Sequence, residues 1–290
     1  MYKYTISAPN AWFADDDFIA AAQNSKLKRF ECSCDETVKG EKAYQFGKLV
    51  CGLQKSGLVD IASVHIPFGG GWSFASPDEN TRKEAVENTL EFLDAFAATG
   101  SKNYTIHTCL EPIADADRAA SLKALHKTIT EILPTAAKMG IFLNVENLPR
   151  TCLGNTPQEL YDVIKEFPTD NLGVCFDVNH FCNCAEIIPQ AIDLLAKHIR
   201  AFHISDYDGI DECHWYPGFG AVDWAAVMDR IRTLPNDLTV IFECAGFLVI
   251  PGWQHDGRKV YKYFFNGMLR NVFFMENAAE IKRRTAELQF

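Results

Sequence analysis

Short apolar runs recur eight times along the 290-residue chain and alternate with longer segments of helical period. The runs are YKYTIS, KRFECS, DIASVHI, NYTIH, IFLNVE, LGVCFD, IRAFHIS and LTVIFE. They suit the strands of a parallel sheet that is buried on both faces, and the spacers are long enough for crossover helices. An open nucleotide-binding sheet should show a glycine-rich turn after its first strand, and ISAPNAWFADDD shows none. The pattern predicts an α/β fold, a (β/α)8 TIM barrel, as one domain over residues 1–290.

Two segments indicate helices of the outer ring. In RAASLKALHKTITEILPTAAKMG, the apolar residues Leu122, Leu125, Ile129 and Leu133 recur at helical spacing, and Gly140 stands where a C-cap glycine belongs. After the eighth run, YKYFFNGMLRNVFF is rich enough in aromatic residues for a binding patch. Its apolar residues follow the helical period, however, so it is predicted to be a closing eighth helix packed on the core.

Composition and charge narrow the classes of partner. The formal net charge is −10 and the pI is about 5.3, so no overall field attracts the chain to nucleic acid or to anionic lipid. No apolar run reaches the ~18 residues of a membrane span, and MYKYTISAPNAW lacks the apolar region of a signal peptide. The ten cysteines are therefore expected to be reduced thiols in a cytoplasmic protein that binds neither membrane nor nucleic acid.

The polar residues near the C-terminal ends of the predicted strands give the decisive pattern. These residues are Ser7, Glu31, His65, His107, Glu146, Asp177, His203 and Glu243. In a (β/α)8 barrel the carboxyl ends of the strands meet at one mouth, where the active site lies. Three carboxylates and an imidazole from strands five to eight, Glu146, Asp177, His203 and Glu243, would form one contiguous arc. This arc predicts a site for one divalent metal ion, Mn²⁺, Zn²⁺, Co²⁺ or Mg²⁺.

Four segments carry a resemblance to a known family: NVENLPR, GVCFDVNH, AFHISDYDGIDECHWYPGFGAVDW and IFECAG. In this order they resemble the xylose isomerase-like TIM barrel superfamily, in the sugar phosphate isomerase/epimerase branch related to tagatose and psicose epimerases and to endonuclease IV. The resemblance implies that the arc of four residues holds the metal and that Glu146 and Glu243 also act as acid and base. It implies that His180 binds substrate and that Asp223 caps the helix after the PGFGAVDW turn.

The expected function is that of a metal-dependent isomerase or epimerase. The resemblance implies a sugar, sugar phosphate or related polyol as substrate, with proton abstraction next to a carbonyl through an enediolate that the metal stabilises. A dehydratase (lyase) of an inosose or dehydroshikimate starts with a similar proton abstraction and stays open as an alternative. A sugar-binding barrel without turnover is a further alternative. Barrels of this family often dimerise, which leaves a homo-oligomer open.

A zinc phosphodiesterase similar to endonuclease IV is the remaining alternative. Positions resembling His65, His107 and His214 hold additional zinc ions in that enzyme. Against it, Asp211 and His214 are separated by one residue more than in the nuclease motif, and the predicted mouth loops carry few cations. In the isomerase interpretation, these histidines bind substrate hydroxyls.

Several further residues are candidates for substrate binding. Arg150 is the best-placed cation for a substrate anion, with a structural salt bridge as the equal alternative. Trp12, Trp72, Trp215 and Trp253 follow strand ends, where their faces would stack on a sugar or simply pack the loops. The glycine-rich PFGGGWSFAS lacks the lysine of a phosphate loop and is predicted to be a mobile mouth loop.

Overall fold

The computed structural model describes residues 3–168, 170–235, 237–244 and 257–288, and it contains a closed barrel of parallel strands paired in chain order. The strands are β1 (Lys3–Pro9), β2 (Arg29–Ser33), β3 (Asp60–His65), β4 (Asn103–Ile106), β5 (Phe142–Glu146), β6 (Leu172–Asp177), β7 (Ile199–Ile204) and β8 (Thr239–Phe242). The first and last strands pair in parallel and close the sheet. The predicted TIM barrel is confirmed.

Helices follow the strands and form the outer ring. They are α1 (Asp16–Gln23), α2 (Glu41–Lys55), α3 (Glu79–Phe96), α4 (Arg118–Lys138), α5 (Pro157–Ile164), α6 (Ile188–Leu195), α7 (Trp224–Ile231), α8 (Gly257–Glu276) and α9 (Ala278–Glu287). Within the described ranges, none of them is long and apolar enough to cross a membrane.

The two helical segments form as predicted. Gly140 follows α4 with a φ of 65°, the left-handed backbone that glycine adopts most easily, and Pro134 lies inside the helix without ending it. In α8, Tyr261, Phe264 and Phe265 are buried against the core. The segment is therefore a packing helix, although Phe273 on the predicted stripe is exposed.

Apolar side chains fill the space between the strands and the helices. Phe13, Phe18 and Phe30 contact one another with their rings, and Phe265 of α8 contacts the latter two. Six of the ten cysteines are buried and all are free thiols, which agrees with the expected reduced state. No cysteine belongs to any of the potential metal-binding groups found within the described residues.

The inside of the barrel is polar below its mouth. Its fully buried polar residues include Thr5, Glu31, Ser63, Thr105 and Asn144. Across the barrel, Asn103 Nδ2 donates to Thr239 Oγ1 at 3.4 Å. Buried polar groups are costly unless they have partners, and the Thr105 hydroxyl and the Asn144 amide have no hydrogen bond among the described residues.

Candidate metal centre at the mouth of the barrel

Four adjacent strands bring the predicted arc of residues together. Glu146 ends β5, Asp177 ends β6, His203 lies near the end of β7 and Glu243 follows β8. One potential ligand atom from each of the four lies within 4.8 Å of the others. His203 Nδ1 is 2.9 Å from Glu146 Oε1, 3.2 Å from Glu243 Oε2 and 3.7 Å from Asp177 Oδ2. Strand ends that are far apart in sequence therefore converge on one imidazole nitrogen.

The donor set fits a divalent cation. Asp177 Oδ2 is buried and makes no hydrogen bond to the described residues, whereas Oδ1 of the same carboxylate accepts from the Asn179 backbone N–H at 2.5 Å. A buried carboxylate oxygen without a hydrogen bond is costly, and Oδ2 faces the imidazoles of His180 at 3.5 Å and His203 at 3.7 Å. Three carboxylates with one imidazole are ligands suited to Mn²⁺, Co²⁺, Zn²⁺ or Mg²⁺.

The protonation equilibria of the four residues are strongly linked. Burial raises the pKa of Asp177 to about 7, against the opposing effect of the positive charge of His180. Burial also opposes ionisation of Glu146 and Glu243, but the charge of His203 holds both pKa values below the usual range. Burial opposes the charged form of His203 too, and the surrounding acidic groups nevertheless raise its pKa well above the ordinary value. A positive charge at this position is thus strongly favoured.

Two more groups of potential ligands adjoin the first. His65 Nε2 and His107 Nε2 lie 3.1 Å and 3.4 Å from Glu146 Oε2, opposite the oxygen that faces His203. On the other side, His180 Nε2 lies 3.1 Å from Glu212 Oε2, and His214 completes that group. All the histidines predicted to bind substrate therefore lie around the same mouth.

Glu212 was not predicted from the sequence. Its position invalidates the argument against the phosphodiesterase that was based on the spacing of Asp211 and His214. The carboxylate that accompanies His214 is Glu212, while the carboxylate of Asp211 turns to Arg150 at 2.7 Å. The relevant spacing is therefore E-x-H rather than D-x-x-H. A left-handed backbone at His214, with a φ of 51°, produces this turn, and a linear pattern gave no signal for it.

A cavity of about 320 Å³ opens directly above these residues. Its charged and imidazole lining includes Glu146, His107, His180, Glu212, His214 and Glu243. The ring of Phe68 forms part of the wall and stacks on His107 with a centroid separation of 4.1 Å. Phe68 is 46% exposed and was also missed, although it follows a strand end as the predicted tryptophans do. The cavity offers polar groups and one aromatic face to a small polar ligand.

Arg150 lines the cavity but its guanidinium is already paired. It contacts Glu111 at 2.7 Å, Asp211 at 2.7 Å and Glu212 at 3.0 Å. These three carboxylates lie on the loops after β4 and β7, so Arg150 joins its own loop after β5 to both of them. The structure favours the salt-bridge alternative over the binding of a substrate anion.

The tryptophans do not line the cavity formed by the described residues. Trp72 is 0% exposed and packs edge-on against Phe92, so it belongs to the core, contrary to the expected substrate contact. Trp12 packs against Phe18 and two aromatic rings of α8. Trp215 is 37% exposed and pairs with Asp206 through backbone hydrogen bonds. Trp253 lies outside the described residues.

Asp206 fixes the loop that carries Glu212 and His214. One of its carboxylate oxygens accepts from the N–H groups of Tyr207 and Val222, and the other accepts from Gly218 N–H and Trp224 Nε1–H. Asp223 caps α7 by accepting from Ala226 N–H at 3.3 Å, the role expected for it. The PGFGAVDW turn is therefore built around a buried carboxylate.

Together, the fold and the site define a parallel eight-stranded barrel with an acidic, histidine-rich centre at its C-terminal mouth. Residues 20–256 match the family model of the xylose isomerase-like TIM barrel. The chain belongs to this family.

Known proteins share the fold at low sequence identity. An uncharacterised protein of Methanocaldococcus jannaschii is 28% identical over 62% of this chain and 63% of its own length. An inosose isomerase of Bacillus velezensis is 24% identical over 58% of this chain and 62% of its own. The chain thus spans less than two thirds of these curated relatives.

Solved structures cover nearly the whole chain. A D-tagatose 3-epimerase-like protein superposes with a TM-score of 0.75 at 22% identity, over 98% of this chain and 99% of that one. A D-psicose 3-epimerase of Clostridium cellulolyticum with D-tagatose gives 0.71 at 16% identity, over 95% and 99%. These superpositions establish the shared fold. Sequence identities this low do not establish a shared reaction.

Proposed function

We propose that the protein is a divalent-metal-dependent isomerase or epimerase of a sugar or related polyol ketone. The observation that carries the proposal is the convergence of Glu146, Asp177 and Glu243 on His203 Nδ1 beneath a polar cavity. A divalent cation held there would stabilise the negative charge that develops on substrate oxygens when a neighbouring C–H loses its proton.

The residues that border the cavity would have separate roles in this reaction. Glu146 and Glu243 would be the acid and base, because both carboxylates border the cavity beside the group of four. His107 and His180 border it as well and would hold substrate hydroxyls. The Nδ1–H of His180 donates to the Asn147 carbonyl at 2.8 Å, which fixes its ring and directs Nε2 toward the cavity side.

The charge of the cavity favours a substrate without a phosphate group. Four glutamates line it, and its one arginine among the described lining residues is held by three carboxylates. The names of the relatives are divided on this point: D-tagatose, D-psicose and inosose carry no phosphate, whereas the name of one structural neighbour refers to a sugar phosphate isomerase/epimerase.

Hydrogen exchange tests the proposal directly. Metal-loaded protein is incubated in D₂O with a panel of ketohexoses and inososes, and deuterium at the carbon next to the carbonyl is followed by NMR. We expect exchange and a second stereoisomer or regioisomer with at least one substrate. Glu243→Gln should lower the rate by about 10²–10⁴-fold, and Glu84→Gln on the exposed face of α3 should not change it. Undiminished turnover in Glu243→Gln would remove this residue from the mechanism.

The same experiment separates the dehydratase. A lyase acting on an inosose would form an enone that absorbs in the ultraviolet, together with water, whereas an isomerase or epimerase forms a product of unchanged mass. Deuterium exchange together with enone formation would identify the protein as a lyase. Binding of a sugar without deuterium exchange would leave a sugar-binding barrel without turnover as the remaining interpretation.

A trinuclear phosphodiesterase is the second candidate, because three groups of potential ligands adjoin one another. Metal content by plasma mass spectrometry, on protein purified without chelator or histidine tag, distinguishes the two. About one ion per chain supports the isomerase, whereas about three zinc ions with hydrolysis of bis(p-nitrophenyl) phosphate would support the phosphodiesterase. The paired state of Arg150 and the net charge of −10 weigh against phosphate recognition.

A further inference from the structure

A buried carboxylate lies behind the candidate metal centre. Glu31, on β2, is fully buried inside the barrel. Its Oε1 lies 3.1 Å from His203 Nε2, and its Oε2 accepts from Ser63 Oγ–H at 2.7 Å. Since β2 and β7 are not neighbours in the sheet, the contact between Glu31 and His203 crosses the barrel interior.

The two nitrogens of His203 face different groups. Nδ1 faces Glu146, Asp177 and Glu243, and Nε2 faces Glu31. A neutral imidazole can donate the lone pair of Nδ1 to a cation only when its proton is on Nε2. A carboxylate at Nε2 accepts that proton in a hydrogen bond, which selects this tautomer and holds the plane of the ring.

We propose that Glu31 is a positioning residue that prepares His203 to bind the metal, and that Ser63 in turn orients Glu31. The inference rests on the metal centre of the proposed function. A carboxylate behind a metal-binding histidine makes Nδ1 a better donor because the ring becomes more electron-rich. Glu31 does not line the cavity and is not one of the four potential ligands, so it would act on the metal through its contact with His203.

Stability alone does not account for Glu31. Burial of a carboxylate is costly, and a glutamine of the same shape would accept from His203 with its oxygen and donate to Ser63 with its amide. Glu31→Gln therefore keeps both hydrogen bonds and removes only the charge. A purely structural residue would tolerate that change without any effect on metal binding.

The test compares Glu31→Gln, Glu31→Ala, Ser63→Ala and the control Thr105→Val. Thr105 is also buried in the barrel, and its hydroxyl has no hydrogen bond to the described residues. The Kd for Mn²⁺ is measured by calorimetry, the Co²⁺ visible spectrum reports ligand geometry, and thermal unfolding of the metal-free proteins reports stability.

We expect Glu31→Gln to weaken Mn²⁺ binding about 10–100-fold in a protein that still folds without metal. Glu31→Ala should weaken binding further and alter the Co²⁺ spectrum, because the ring is no longer held. Ser63→Ala should have a smaller effect in the same direction, and Thr105→Val none. If Glu31→Ala does not fold, Glu31→Gln and Ser63→Ala carry the test.

The outcomes separate the two proposals. Wild-type affinity and spectrum in Glu31→Gln, with a normal wild-type site, would overturn the role of Glu31 and leave the proposed function intact. A wild type that binds neither Mn²⁺ nor Co²⁺ would overturn both.

Discussion

Glu146 occupies the central position among the residues of the site. One oxygen faces His203 at 2.9 Å, and the other faces His65 at 3.1 Å and His107 at 3.4 Å. Its position at the end of β5 could be read from the sequence, because apolar runs fix where strands end. The atoms that its carboxylate contacts could not be predicted from the sequence, because they depend on strand register and on side-chain direction across the barrel. Glu31 illustrates this limit, because the sequence predicted it at the end of its strand, whereas it lies in the middle of β2 and contacts His203 across the barrel.

Asp177→Asn should separate metal affinity from stability. The substitution replaces the buried Oδ2, which has no hydrogen bond, with an amide that can donate to neighbouring carboxylates. We expect Mn²⁺ affinity to fall at least about 100-fold, while the metal-free protein becomes equally or more stable because a buried charge is removed. Calorimetric titration and urea unfolding without metal measure the two effects. A loss of stability with unchanged affinity would contradict the role of Asp177.

Trp72→Ala should affect folding rather than substrate binding. Trp72 is fully buried, so the cavity left behind should cost about 3–5 kcal/mol, with KM unchanged. Trp215→Ala, at a partly exposed position, should cost less than about 1 kcal/mol. Urea unfolding together with steady-state kinetics measures both. A raised KM in Trp72→Ala at full stability would restore the substrate contact predicted from the sequence.

At the scale of elements, the strands follow from short apolar runs that are buried on both faces, and most helices follow from the helical period that burial of one face imposes. The short helix α9 and the loop between β7 and α7 do not. In that loop, the PGFGAVDW pattern indicated a turn, but the buried Asp206 at its centre is a tertiary feature. At Gly220 a Cβ would lie 2.0 Å from the Tyr207 carbonyl oxygen, which explains why the turn requires glycine there.

Asp206→Asn should loosen this loop. Both carboxylate oxygens of Asp206 accept hydrogen bonds, and an asparagine would turn its amide hydrogens toward two of the donors. We expect a loss of about 2–4 kcal/mol in the free energy of unfolding. Asp208→Asn is the matched control, because Asp208 accepts both of its bonds through one oxygen, which asparagine retains. Equal stability of the two variants in urea would argue against Asp206 as the centre of the loop.

For the whole molecule, metal binding should raise the free energy of unfolding and Tm. A ligand that binds only the folded chain stabilises it by about 2.7 kcal/mol at a concentration of 100 times its Kd. For a domain of this size that corresponds to about 4 °C in Tm. We expect Mn²⁺ to raise Tm and a chelator to reverse the change in scanning calorimetry, with Asp177→Asn insensitive to both. A wild-type Tm independent of metal would contradict the proposed centre.

The order in which the chain supplies the ligands has a kinetic consequence. The four residues of the centre come from β5 to β8, and β8 is held in place by pairing with β1, where Thr239 lies opposite Lys3. Contacts this distant in sequence are costly to close and form late in folding. We therefore expect the binding site for the cation to be incomplete in the folding transition state. Manganese should leave the refolding rate unchanged in stopped-flow fluorescence and should slow unfolding. The metal would therefore stabilise the folded barrel without assisting its formation.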